Sequence, residues 1–92
     1  MQVEHEPARK RFLVRLPEGE GELVYDMIDP GTIDLLHTGV QPTLRGRGVA
    51  EALVQFAFDH ARRNGLRVVP TCPYVRRWLE KHPEVHDVLR TA

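Results

Sequence analysis

From Arg11 to Leu16 the chain alternates, with Phe12, Val14 and Leu16 on one parity and Leu13 and Arg15 on the other. A period of two predicts a half-buried strand. Pro17-Glu18-Gly19-Glu20-Gly21 then reads as a turn. Leu23, Tyr25 and Met27 share one parity of the next run against Glu22 and Asp26, so a second strand is predicted to return as a hairpin. Asp29-Pro30-Gly31 marks another turn. Between Thr32 and Val40 the apolar and β-branched residues leave no clean polar face, which predicts a central strand covered on both sides. Pro42 ends it, because proline has no N–H for a ladder and restricts the residue before it.

The strongest helical signal runs from Arg47 to Asn64, where Val49, Ala50, Leu53, Val54, Ala57 and Ala61 recur at three- and four-residue spacing. Gly65 supplies a stop. Arg67 to Thr71 reads as a short strand, and a strand-helix-strand order implies a right-handed crossover between parallel strands. Pro73 suits the first turn of a second helix whose apolar face is Tyr74, Val75, Trp78 and Leu79, interrupted by His82-Pro83. Val85, Val88 and Leu89 fit one more helical turn. With no repeat or linker visible, residues 1–92 are expected to form a single α/β domain in the order ββ-β-α-β-α.

Composition narrows the classes of partner. Thirteen basic residues balance thirteen acidic ones, so no global field draws the molecule to nucleic acid or an anionic membrane. The basic cluster Arg62, Arg63 and Arg67 reads as a solvated helix end, and Arg76-Arg77 likewise. One cysteine, Cys72, leaves no intramolecular disulfide and suggests a reducing compartment. The first seven residues lack the order of a signal peptide, and no apolar run approaches a membrane span, so a cytoplasmic location is expected.

The candidate chemistry begins at Arg45-Gly46-Arg47-Gly48, between the buried strand and the best helix. Amides at a helix start have no intrahelical partner, glycines let a backbone approach a phosphate, and the helix dipole favours an anion there. Arg45 and Arg47 offer charge-assisted contacts. Taken alone, the same glycines equally suit a tight strand-to-helix turn. A dinucleotide fingerprint would need glycine where Glu51 stands, and a P-loop would need Lys-Ser/Thr after the second glycine.

Arg45-Gly46-Arg47-Gly48-Val49-Ala50 resembles the R-x-x-G-x-A acetyl-CoA loop of the GNAT superfamily. His37-Thr38-Gly39-Val40-Gln41-Pro42 and Thr71-Cys72-Pro73-Tyr74-Val75 are similar to the corresponding segments of a compact GNAT-like N-acetyltransferase family, and the likeness spans Phe12 to Leu89. It implies a minimal GNAT-like fold, with antiparallel N-terminal strands leading into a β-α-β unit. It implies acetyl-CoA as acyl donor, the Val40 backbone on the pantetheine arm, and Arg45, Gly46, Arg47, Gly48, Val49 and Ala50 around the pyrophosphate. The acceptor would be a primary amine on a small molecule or a protein, and the state a monomer or weak homodimer. Relatives commonly carry glutamate where this chain has Gly39, so a carboxylate base is missing. The walls with which larger relatives enclose the acceptor are also missing, which keeps open a coenzyme A or acyl-CoA binding module with little turnover.

Cys72 falls at the end of a predicted parallel strand and beside a helix start, where a thiolate is favoured. It reads equally as an acetyl-accepting nucleophile and as a buried structural thiol. Tyr74 is a candidate proton donor to the leaving thiolate, against simple packing on Trp78. His37 alternates with Ile33 and Leu35, which predicts a hydrogen-bonded core histidine. His82 and His86 have metal-ligand spacing, but Pro83 between them disrupts a helical pair, and no metal is assigned.

Overall fold

The computed structural model describes residues 1–91. Strands β1 (Glu4–Glu6), β2 (Arg11–Leu16), β3 (Gly19–Asp29), β4 (Thr32–Val40) and β5 (Arg67–Pro70) form one sheet in sequence order. All neighbours are antiparallel except β4 and β5, which run parallel. Helix α1 (Val49–Arg63) makes the crossover between those two, and α2 (Pro73–Glu80) follows β5. A final 3-10 segment, Pro83–Val88, brings the chain back so that Arg90 N–H donates to the Val68 carbonyl (2.9 Å).

Each helix boundary has a local cause. The C-terminal end of α1 closes with Leu66 N–H on the Ala61 carbonyl (2.8 Å) and Gly65 N–H on that of Arg62 (3.4 Å), with Gly65 at φ 65°. That is a Schellman cap, and it needs glycine at the left-handed position. Proline at the first position of α2 is pre-set for a helix.

Both helices and the last 3-10 segment pack into one apolar cluster on one face of the sheet. Phe12, Val14, Leu23, Ile33 and Leu35 meet Leu53, Val54, Ala57 and Phe58 there, and Phe58 stacks on Trp78 at 5.3 Å. The other face carries no helix. Leu13 is fully buried on it, covered by its neighbours rather than by a second layer, so β2 is not the half-buried strand that alternation predicts.

Strand β1 is the element the hydrophobic pattern does not disclose. Glu4-His5-Glu6 has no apolar residue, and its hold comes from polar contacts. His5 Nε2 lies 2.7 Å from the Tyr25 hydroxyl, the His5 ring stacks on Phe12 at 4.6 Å, and Glu6 pairs with Arg11.

Two β-bulges correct the parity reading. The register steps from Val24↔His37 to Tyr25↔Leu35, leaving Leu36 as an extra residue on β4. A second step, from Met27↔Ile33 to Asp29↔Thr32, extrudes Ile28 on β3. Leu36 and Ile28 are accordingly exposed, and Met27 with them. The extra residue flips the faces of β4, so His37 is exposed rather than a core histidine, and β4 is covered by helices on one side, not on both.

Candidate active site

Strand β4 ends at Val40, and one 3-10 turn, Pro42–Leu44, carries the chain toward α1. Leu44 is fully buried and anchors the turn to the core, while Arg45 through Gly48 lie exposed above it. Gly46 and Gly48 both have φ 77°, where a β-carbon is strained. A β-carbon added at either would meet no atom within 4 Å. Conformation rather than crowding therefore requires glycine, and the space over the loop is free.

Gly48 is the N-cap of α1, and no side chain caps the helix. Ala52 N–H makes the first backbone bond there, to the Gly48 carbonyl (3.0 Å). The amides before it have no intrahelical acceptor and face the loop's mouth. They border a groove of about 290 Å³ lined by Val40, Arg45, Gly46, Gly48, Val49, Ala50 and Tyr74, together with Leu44 and Glu51.

Arg47 is the member of the predicted set whose side chain lies elsewhere. Its Nη1 sits 2.7 Å from Glu18 Oε2 in the β2–β3 turn, an ion pair that holds the Glu18 carboxyl below its usual range. Arg45 is exposed and takes part in none of the ion pairs among the described residues. Leu44 and Glu51 are groove residues the sequence reading passes over. A lone large apolar residue inside an otherwise polar loop was the available signal for Leu44.

Past Leu35, β4 loses its neighbour on one side. Pairing with β5 covers Thr32 to Leu35, and the last bond across that edge runs from Cys72 N–H to the Leu35 carbonyl (2.8 Å). Gln41 N–H donates to Glu20 on β3 (3.0 Å), so by strand alternation Val40 turns its N–H and C=O toward the gap.

Cys72 is 3% exposed at the N-cap of α2, behind rather than within the groove wall. Its Sγ lies 3.4 Å from Thr38 Oγ1. Burial opposes charge on this sulfur. The Thr38 hydroxyl and the backbone amides of Val75, Tyr74 and Thr38 outweigh that penalty and hold the thiol below its ordinary value. Thr38 is thus a residue of the site, within a segment whose sequence gave it no role. The half-buried Tyr74 lines the groove, and burial, with Glu51 nearby, raises its hydroxyl above the usual value.

The remaining candidates have other work. Arg62 is not an idle solvated end: it grips both oxygens of Asp87 (2.9 and 2.8 Å) and pins the last 3-10 segment to α1. His86 Nε2 bonds the Leu79 carbonyl (2.7 Å), and His82 Nδ1 faces Glu84 (3.0 Å).

An uncapped helix start, two left-handed glycines and a parallel pair of strands that part beside them form one continuous feature. The GCN5-related N-acetyl-transferase family matches residues 11–88, a span running from β2 to the end of the last 3-10 segment. The chain is a member of that family. Among its relatives, Protein NATD1 of Xenopus tropicalis is 34% identical over 85 residues, covering 90% of this chain and 78% of that protein. Protein NATD1 of Homo sapiens is 33% identical over 85 residues, 90% of this chain and 75% of the relative. The solution structure of a GCN5-like putative N-acetyltransferase from Staphylococcus aureus superposes with a TM-score of 0.76 at 28% identity, over 99% of this chain and 89% of that one. The mixed five-stranded sheet with its crossover helix is therefore a minimal GCN5-related fold, in which the glycine loop and the parting strands occupy the middle of the matched region.

Proposed function

We propose that this GCN5-related protein transfers an acetyl group from acetyl-CoA to a primary amine. The observation that carries the reading is the pair Gly46 and Gly48 at φ 77°, which open uncapped amides onto a groove that continues to Val40 and Tyr74. A diphosphate suits those amides, Arg45 adds a cation, and the free edge of β4 at Val40 suits the amides of a pantetheine arm. A β-carbon built on either glycine meets no atom within 4 Å, so the backbone of the loop is open to a ligand's approach. Glu51, an acidic residue in the first turn, opposes an anion and keeps the attraction local to the loop.

In the direct route the amine nitrogen attacks the thioester carbonyl, the carbon–sulfur bond breaks, and an amide and free coenzyme A thiol result. Tyr74, kept protonated by its burial, supplies the proton that the departing thiolate takes up. A second route is motivated by the donors around Cys72. Its thiolate attacks the thioester carbonyl and expels coenzyme A, which leaves as the thiol with a proton from Tyr74. The amine then attacks the acetyl-cysteine, giving the amide and returning the Cys72 sulfur as the amine's proton is lost.

Release of free thiol from acetyl-CoA, measured with a panel of primary amines, tests the reading. Amine-dependent release supports the enzyme. Binding of coenzyme A without amine-dependent release would leave a binding module instead. An acetyl adduct on Cys72 by mass spectrometry, with loss of turnover in Cys72→Ala, selects the second route, whereas full turnover in that variant selects the direct one.

A further inference from the structure

Every residue from Leu44 to Glu51 lines the groove over the glycine loop except Arg47, whose side chain reaches instead to Glu18. Glu18 belongs to the two-residue turn Pro17-Glu18, since Leu16 at the end of β2 pairs with Gly19 at the start of β3. Three more contacts join this hairpin end to the segment that leaves β4. The Thr43 hydroxyl donates to the Glu18 carbonyl (2.7 Å), Glu20 N–H donates to Gln41 Oε1 (2.9 Å), and Gln41 N–H donates to the Glu20 carbonyl (3.0 Å).

Gly19 lets the two segments meet. A β-carbon there would stand 2.5 Å from Gln41 Oε1 and 2.6 Å from Thr43 Oγ1. Gly19 lacks the positive φ of Gly46 and Gly48, so close approach alone requires glycine at this position. These contacts are not explained by folding, because Arg47 and Glu18 are about half exposed and such an ion pair adds little to stability. They are, however, what fixes the loop from above. Leu44 anchors it from below, and among the described residues no side-chain hydrogen bond other than those of Thr43 and Arg47 reaches residues 43 to 51.

We infer that the β2–β3 turn is a clasp that sets the glycine loop before its ligand arrives, with Glu18 as a positioning residue that acts through Arg47 and Thr43. The inference rests on the coenzyme A reading of the loop. Two glycines in nine residues make a backbone of many conformations, and a loop that must be ordered when a diphosphate docks binds it more weakly. Glu18 removes part of that disorder in advance, its carbonyl holding the loop's beginning at Thr43 and its carboxylate holding the middle at Arg47. The same pair keeps a long side chain off the groove and leaves Arg45 as the cation that meets the ligand. Arg47 thus serves the site without touching what the site holds.

Calorimetry with coenzyme A tests the clasp, because charge and position predict opposite signs. Removing a carboxylate beside an anion site should by charge alone tighten binding, whereas Glu18→Gln should weaken it about three- to ten-fold if the pair positions the loop. Thr43→Val, which changes no charge, should weaken it too. The exchanged pair, Glu18→Arg with Arg47→Glu, remakes the contact and should return the affinity to within about two-fold of the wild type. Asp26→Asn breaks the Lys10–Asp26 pair (2.9 Å), which is as exposed, and should change nothing. A readout that needs no ligand is nitrogen-15 relaxation of the free protein, in which the order parameters of the Gly46 and Gly48 amides should fall in Glu18→Gln. Tighter binding in Glu18→Gln, unmoved order parameters, or an exchanged pair as weak as Arg47→Gln alone would overturn the clasp and leave the loop as a coenzyme site. A wild-type chain that binds no coenzyme A would overturn the loop reading, and this inference with it.

Discussion

Gly48 and Gly21 are both glycines of necessity, for opposite reasons. At Gly48 the backbone lies at φ 77° with open space around it, so Gly48→Ala costs only the left-handed conformation, about 1–2 kcal/mol. Gly21 faces α1, and a β-carbon there would stand 2.6 Å from Val49 Cγ1 and 3.5 Å from Leu53 Cδ1. Gly21→Ala must therefore shift the start of α1, an overpacking cost of about 1–3 kcal/mol. Urea unfolding should show both variants destabilised. Gly21→Ala should also move the amide resonances of Val49 to Leu53, residues far from it in the chain, and a Gly21→Ala protein with unchanged stability and spectrum would contradict this packing. The two roles differ in legibility. A glycine pair before a helix announces left-handed backbone, but close approach of an element far along the chain leaves no local mark, so Gly21 reads as part of a turn.

Among elements, β1 is held in part by groups that titrate near neutral pH. His5 and His60 meet edge to face at 4.7 Å, with Phe12 and Tyr25 around them. Burial lowers the pKa of both imidazoles, and His60 is lowered further by His5 and Arg63. The unfolded chain thus takes up protons first, near pH 6.5, and binds more of them than the folded one just below that value. Stability from this contact is fully present above about pH 6.5 and is lost as the pH falls through the lowered folded values. The urea midpoint should fall between pH 7.5 and 5.5, and His60→Gln should flatten that fall; an equally steep profile in the variant would place the titration elsewhere. The depressed carboxylates, such as Asp87 beside Arg62, act in a separate window below about pH 4.5. Hydrophobic periodicity revealed β2, β3, α1, β5 and α2 because each buries an apolar stripe. It missed β1, which is tied down by side-chain polar groups, and it misplaced His37, since an inserted residue changes no composition while reversing every face after it.

The whole molecule is a single-sided sheet, 39 × 30 × 20 Å, with all its helical mass on one face. The bare face carries Arg11, Leu13, Glu20, Glu22 and Gly39 around a hollow that also touches Val40, so it adjoins the groove over the glycine loop at the end of β4. With one modest core, ligand binding should add measurably to stability. Coenzyme A at about one hundred times its dissociation constant adds about 2.7 kcal/mol. For a domain of this size that raises the unfolding midpoint by about 10–20 °C. Scanning calorimetry across a coenzyme A titration checks this, and a midpoint indifferent to the ligand would contradict it. The parallel crossover and the glycine loop were readable from the sequence because both are local signals. That one face of the sheet stands uncovered was not, since it depends on where α2 lands.

Leu36 gives the molecule a switch of handedness written in one residue. Behind it, Thr38 and Val40 point to the helical side, where the sulfur and the groove are, and His37 and Gly39 point to the bare side. A strand in which Leu36 took a regular place in the ladder, with no bulge, would exchange the two pairs. It would present an imidazole to Cys72 and strip the sulfur of its threonine hydroxyl, without the change of a single residue.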